Sequence, residues 1–428
     1  MTSLAEKRIF LGDCSGQTRK IHLPIVDARE CRGQLNPSGI DIPQSLRNKL
    51  KNSTSMTSGQ LFGQSSTVYN SMEAYIAGNA VPSLFAKEYG VVGTEDSVAL
   101  AQKINQLYKG RGAVITPSGM AAIHVAIGTV HHQLRTEDRL ENFSILVPNN
   151  VYGPVTRLLN YGTYFREDQV IAYGANEESF EAAVVQAERN GKPARCVYIE
   201  TPVSNLFDVH DLAFLGRRAK ELGAISVMDN TFSTYLGCQP IKDHQIDIVI
   251  DAGTKYLGGY GDCPFGAVVC RDKKMAEDAA YFARVNGMST LANGLAELAL
   301  YRIGSADARM AQSYQSARII REEIFEPMLG GKIDRILAYD PDVYPRHARH
   351  CTRGNGLFTV IFNDDVSEKQ RNAFANDNPL LKTAASWGGH VTLGVPLVIE
   401  GRQAIRIHAG LEDIGDLKRA FQRAALAL

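Results

Sequence analysis

Residues 246–262 read IDIVIDAGTKYLGGYGD. An apolar run of strand length, IDIVID, ends at a short loop that carries Lys255 and is followed by paired glycines. Lysine is seldom placed against the end of an apolar strand unless something there needs an amine. A solvated loop lysine is the plain alternative, and these residues alone leave both readings open.

Upstream of this stretch, short apolar runs alternate with helical ones. AVITPS (113–118) leads into GMAAIHVAIGTVHH, SILVPN (144–149) into a segment beginning near Tyr152, and CVYIETP (196–202) into a helix near 210–222; ISVMDN (225–230) follows. Strand and helix alternating at these intervals predict an α/β domain with a mostly parallel central sheet and covering helices. In such sheets ligands gather at the carboxyl ends of the strands. Past residue 300 the rhythm changes. A long helical stretch, SADARMAQSYQSARIIREEIF, precedes LFTVIF (357–362), AIRIHAG (404–410) and an amphipathic ending, LEDIGDLKRAFQRAALAL, which predicts a C-terminal α+β domain. The first 70 or so residues are rich in Ser, Gln, Asn and Thr and read as an extended arm with little core of its own, of the kind that wraps a partner subunit, or as a disordered tail. The expected division is an arm over 1–88, a large domain over 89–298 and a small domain over 299–428.

Composition removes several function classes. Lys plus Arg and Asp plus Glu both number 46, so the formal net charge is 46 − 46 = 0, which gives no electrostatic reason to expect nucleic acid or an anionic membrane as partner. Seven cysteines, an odd number without a CxxC pair, fit free thiols in a reducing compartment. The N-terminal residues lack the apolar core of a signal peptide, and no run approaches the roughly 20 apolar residues of a membrane span. A cytoplasmic protein is expected, with no metal.

Three further features fall at predicted element ends. Asp229 closes the strand in VMDNTF; it either caps a turn or partners a protonated ring nitrogen, which a pyridoxal phosphate (PLP) enzyme needs to keep its ring an electron sink. SGMAA (118–122) starts a helix with small residues, which suits a phosphate at the exposed N–H groups or merely permits close packing. Arg406 alternates within an apolar strand, either as a structural ion pair or as a bidentate fork for a carboxylate. The 26 residues between Asp229 and Lys255 leave room for a helix and a strand, so both can reach one crevice.

In combination and order these residues resemble the cysteine and methionine metabolism family of fold type I PLP enzymes. The matching segments are YGVVGT (89–94), SGMAAI (118–123), VYGP (151–154), IETP (199–202), MDNTF (228–232), AGTKYLGG (252–259), SWGG (386–389) and IRIHAGLED (405–413). Within that family Trp387 in SWGG and Ser204 look like the cystathionine β-lyase branch. The resemblance implies that Lys255 holds PLP as a Schiff base and shuttles the proton. By the same resemblance Asp229 pairs with the pyridine nitrogen and Tyr152 stacks on the ring. Ser118, Gly119, Met120 and Thr254 would serve the phosphate. Arg406, with Ser386 and Trp387 beside it, would hold an amino-acid substrate by its α-carboxylate. Tyr89 would reach the site of a neighbouring subunit in a homodimer or homotetramer. The implied reaction is carbon–sulfur β-elimination on cystathionine or a related amino acid, giving a thiol, pyruvate and ammonia. The alternatives are γ-elimination or γ-replacement and, more remotely, a PLP-binding pseudoenzyme.

The chain departs from the family's pattern at three places. Val91 replaces a phosphate-binding arginine, for which Arg111 and Arg157 are candidate substitutes. Ala252 stands where Ser is common, and His390, Val391 and Thr392 follow SWGG in place of the usual residues.

Overall fold

A computed structural model describes residues 71–79, 92–136, 142–161, 164–289, 291, 293–341 and 351–428. All of these fall in one compact unit, Ser55–Leu428. Most of the expected arm, together with Tyr89 and Val91, lies outside the described residues; within that stretch a short helix covers Met72–Asn79.

The large sheet has seven strands: β1 (Gly112–Thr116), β2 (Ser144–Pro148), β3 (Val170–Tyr173), β4 (Ala194–Glu200), β5 (Ile225–Asp229), β6 (Ile248–Asp251) and β7 (Gly266–Cys270). Their spatial order is β1-β7-β6-β5-β4-β2-β3. Only β7 runs against its neighbours, pairing antiparallel with both β1 and β6. The expected mostly parallel sheet is thus observed, with one reversed strand that the sequence reading did not anticipate. Strands β1, β2, β6 and β7 are buried along their whole length, because helices cover both faces; this is why they read as continuous apolar runs and not as alternating ones.

One face packs against helices Glu95–Tyr108, Glu177–Arg189 and Leu212–Glu221, the other against Gly119–Thr136 and Lys273–Val285. Short polar side chains start several of these helices. Thr94 and Ser97 form a reciprocal capping box, and Asn176, Asp211 and Asp272 each accept the N–H three residues on, satisfying donors that the helix leaves free.

A second sheet follows, β10-β11-β12-β9-β8, from β8 (Ile333–Ala338), β9 (Leu357–Phe362), β10 (Lys382–Thr383), β11 (Leu393–Ile399) and β12 (Arg402–His408). Its core joins Phe358, Phe362 and Ile407 to Phe325, Phe374 and Phe421. Strand β12 lies between β11 and β9, with Arg406 in register with Val395 and Thr359. Among the described residues no helix is long and apolar enough to cross a membrane.

Candidate active site

The parallel strands β4, β5 and β6 each end in a carboxyl group: Glu200, Asp229 and Asp251. Glu200 and Asp229 are in register, so they share a face of the sheet, whereas Asp251 lies one residue past Asp229's partner Ile250 and turns to the opposite face. There it accepts a short hydrogen bond from the buried Tyr108 hydroxyl. Burial pushes the Asp251 carboxyl up to about 8, with the charge of Asp229 adding to the effect and the Tyr108 bond opposing it.

Lys255 comes four residues after β6, in a tight turn and not on the strand itself. Main-chain bonds from Lys255 N to Ala252 O (3.0 Å), Gly258 N to Gly253 O (2.6 Å) and Gly259 N to Lys255 O (2.7 Å) close the turn. The buried Arg309 guanidinium donates to the carbonyls of Tyr256 (2.7 Å) and Leu257 (3.3 Å). Two glycines let neighbours approach. A Cβ at Gly253 would stand 2.1 Å from the Phe265 ring, and one at Gly388, whose φ is +78°, would lie 3.0 Å from the Lys255 carbonyl carbon. The SWGG loop therefore lies directly against the backbone of the lysine.

The Lys255 amine donates to Ser386 Oγ at 3.1 Å and sits 5.3 Å from the centroid of the Trp387 ring. Trp387 in turn packs against Phe232 and Tyr256. Burial, and then the Arg406 guanidinium, lower the Lys255 amine from 10.5 to about 8, while Asp229 opposes them. Asp229 is itself raised by burial and held down by the Thr231 hydrogen bonds and by Lys255; its Oδ1 accepts the Thr231 N–H at 3.0 Å. The amine is therefore a usable nucleophile near neutral pH. In the apo chain its rate of reaction with an aldehyde is expected to rise tenfold per pH unit up to about pH 8 and then level off. A rate still climbing toward pH 10, followed by stopped-flow absorption, would contradict this placement.

Arg406, the third residue singled out, projects from β12 and donates through Nη1 to Asn205 Oδ1 at 3.0 Å. Among the described residues its partner is thus an amide, not the carboxylate of a structural ion pair. Burial lowers its guanidinium, and Tyr152 opposes this. Tyr152 precedes the helix Gly153–Asn160 and leaves 44 % of its surface exposed. Burial raises its hydroxyl, with Asp229 adding to the rise and Arg157 opposing it. Lys255 feels the charges of Arg406 and Asp229, and Tyr152 feels those of Asp229 and Arg406, so the four groups gather at one place, the crevice expected at the strand ends.

Ser118, Gly119 and Met120 open the helix Gly119–Thr136 beside this crevice. A Cβ on Gly119 would meet the Ala252 Cβ at 2.5 Å, so the helix start abuts the lysine loop and requires glycine there. The Ser118 hydroxyl accepts the Ala121 N–H at 3.1 Å and keeps its own proton for an anion. The first N–H groups of the helix have no intrahelical acceptor, which suits a phosphate. The Thr254 hydroxyl is already engaged with the main chain of Phe265, at 3.3 Å to its carbonyl and 3.2 Å from its N–H. Its proton must leave that carbonyl before it can serve a phosphate. An amine, an acid for a ring nitrogen, an aromatic platform and an anion-binding helix start together fit PLP.

Of the candidate substitute cations, Arg111 stands before the first residue of β1, where its N–H bonds the carbonyl of Cys270. That is the far end of the strand, about 15 Å from Thr116, and removes it from the phosphate. Arg157 is exposed, and its guanidinium folds back over Gly153, 3.8 Å from where a Cβ would be. His390 is exposed and packs at a tilt against Tyr260, with ring centroids 5.0 Å apart.

Several site residues escaped the sequence reading. Glu200, 6 % exposed, accepts the N–H of Tyr152 at 2.8 Å and of Ser204 at 2.7 Å; burial and the charge of Asp229 push it up to about 7, against these bonds. Asn205 anchors Arg406. Glu412 accepts the N–H and hydroxyl of Thr392 at 2.7 and 2.8 Å, tying the SWGG loop to the end of β12. His408 is buried against Tyr256, and burial drives its imidazole down to about 4. It is therefore neutral, with Nε2 3.0 Å from the Gly389 carbonyl. Glu200 and His408 both stood in the quoted motifs, and only their contacts distinguish them from packing residues.

Comparison with known proteins shows the family and the fold. A cystathionine β-lyase of Bordetella avium is 30 % identical over 362 residues, 79 % of this chain and 85 % of that one. A cystathionine γ-lyase of Bacillus subtilis is 27 % identical over 361 residues, 77 % and 86 % of the two chains. The crystal structure of cystathionine γ-synthase from Xanthomonas oryzae pv. oryzae in complex with cystathionine superposes with a TM-score of 0.71 at 24 % identity, over 86 % of this chain and 93 % of that one, which speaks to the fold. Residues 45–426 match the family described as Cys/Met metabolism PLP-dependent enzyme, and the chain belongs to that family, with PLP as its cofactor.

Proposed function

We propose that the chain is a carbon–sulfur β-lyase, which breaks the Cβ–S bond of cystathionine or a related sulfur amino acid. The observation that carries this reading is the confinement of the Lys255 amine between the Ser386 hydroxyl and the Trp387 ring. β-Elimination asks the amine to serve one carbon, Cα. γ-Chemistry asks it to move on to Cβ, and an amine held between a hydroxyl and an indole face is suited to the first task.

The residues divide the work. Arg406, anchored by Asn205, presents its remaining donors to the α-carboxylate. Tyr152 covers the ring face. Asp229 holds the proton of the ring nitrogen, and Ser118 with the N–H groups of Gly119 and Met120 binds the phosphate. Bound PLP supplies the electron sink that makes the Cα proton acidic. Lys255 takes that proton as general base, the Cβ–S bond breaks with its electron pair on sulfur, and the sulfur leaves as a thiol after protonation. Water then converts the released three-carbon enamine to pyruvate and ammonia. The active assembly in this reading is a cytoplasmic homodimer or homotetramer.

Incubation with L-cystathionine tests the assignment. β-Elimination yields homocysteine, pyruvate and ammonia; γ-elimination yields cysteine, 2-oxobutanoate and ammonia. Pyruvate is expected to be the dominant 2-oxo acid by chromatography of its hydrazone. The similarity to a γ-lyase and a γ-synthase favours γ-chemistry as the second reading, and 2-oxobutanoate in excess would select it.

A further inference from the structure

We infer that Glu200 is a positioning residue which hangs the aromatic platform and the carboxylate clamp on one buried side chain. It stands at the end of β4, beside Asp229 in the row of strand ends. Its two oxygens are spent on two different loops. Oε2 accepts the main-chain N–H of Tyr152 at 2.8 Å, at the start of the helix Gly153–Asn160, and Oε1 accepts that of Ser204 at 2.7 Å. Ser204 is followed by Asn205, whose backbone is left-handed (φ +68°) and whose Oδ1 receives Arg406 Nη1. The Asn205 carbonyl takes the Thr359 hydroxyl at 3.0 Å, from the strand next to that of Arg406. One arm thus runs from Glu200 to the Tyr152 ring, the other through Ser204 and Asn205 to the guanidinium.

The placement carries a burial cost that a merely structural group would not need. A carboxylate beside another carboxylate, out of water, is unfavourable unless its oxygens are bonded. Two short bonds from main-chain N–H groups meet that need, and each fixes a segment that holds a group of the site. Both Glu200 oxygens are taken by main-chain N–H groups, so it acts through Tyr152 and Arg406. The inference rests on Arg406 as the carboxylate clamp.

The test uses holoenzyme and two ligands without a leaving group, L-alanine and ethylamine, with binding followed through the cofactor absorption band. Glu200→Gln keeps the volume but turns an N–H donor toward one of the two N–H groups. It is expected to weaken L-alanine at least tenfold while ethylamine changes by less than about threefold, and to reduce the circular dichroism of the cofactor band as the Tyr152 platform loosens. In turnover, KM should rise more than kcat falls. Asn205→Ala breaks only the second arm, so it should weaken L-alanine and leave the dichroism intact. It also supplies a readout should Glu200→Gln fail to fold, and an unweakened L-alanine there would overturn the second arm. The double variant should be no weaker toward L-alanine than the weaker single variant, because both act on one path. Arg406→Lys separates the premises. If it spares L-alanine, the clamp is wrong. If it weakens L-alanine while Glu200→Gln weakens both ligands equally or neither, the role of Glu200 is overturned.

Discussion

Lys255→Ala is expected to purify as a folded chain without the Schiff-base absorption band and to turn over at least about 10³-fold more slowly than the wild type. Two functions leave with the amine. The covalent link to the cofactor is lost, and so is the general base for Cα, a role worth roughly 10² to 10⁴ in rate. The fold should survive, because the turn is held by its own main-chain bonds and by Arg309, none of which uses the amine. The apo form adds a thermodynamic signature. A lysine lowered from 10.5 to about 8 is charged at a cost below pH 8, and the unfolded chain binds its proton more tightly. Wild-type apo stability should therefore rise between about pH 8 and pH 10.5, by about 3 kcal/mol in all. The variant should lack that rise in denaturant titrations. An undiminished absorption band in the variant would remove Lys255 from the cofactor altogether.

The contrast between what was and was not legible in the sequence follows from how each feature is encoded. Asp229 stood out because an apolar run buried on both faces ends on it, and such a run is readable residue by residue. Lys255 and Arg406 stood out as charges set against apolar segments. Strand β7, GAVVC, is short, and its antiparallel direction depends on where β1 and β6 lie in space, which composition does not record. Strand β11 contains Pro396, which argues against a strand interior. The structure accommodates it because β10 pairs only with Leu393 and Gly394, so from Pro396 onward that side of β11 is an edge. Glu200 lay in a quoted motif and still went unread as a site residue: it ties two loops through backbone N–H groups, which any residue type carries, and one of them is 48 residues away. Asn205 was passed over because the resemblance drew attention to Ser204, one residue earlier.

Asp229→Asn is expected to keep its cofactor and to lower kcat by about 10² to 10³, the scale of removing one preorganised electrostatic group from a site. The asparagine retains the shape of the aspartate, and its Oδ1 can still accept the Thr231 N–H, so strand β5 and its turn should be unchanged. What disappears is the negative charge opposite the ring nitrogen, and with it the residue that keeps that nitrogen protonated. Two neighbours report the loss independently of turnover. Asp229 raises the Lys255 amine, so in the apo variant the pH midpoint of the amine should move below about 8. Asp229 also adds to the rise of the Glu200 carboxyl, which now lies at about 7, so that group should titrate lower and hold the Tyr152 and Ser204 loops through a wider acid range. Both shifts are downward, because in one case a stabilising anion beside a cation is removed and in the other a repelling anion beside an anion. A kcat within about threefold of the wild type, with the amine midpoint unmoved, would show that Asp229 caps its turn and does nothing more.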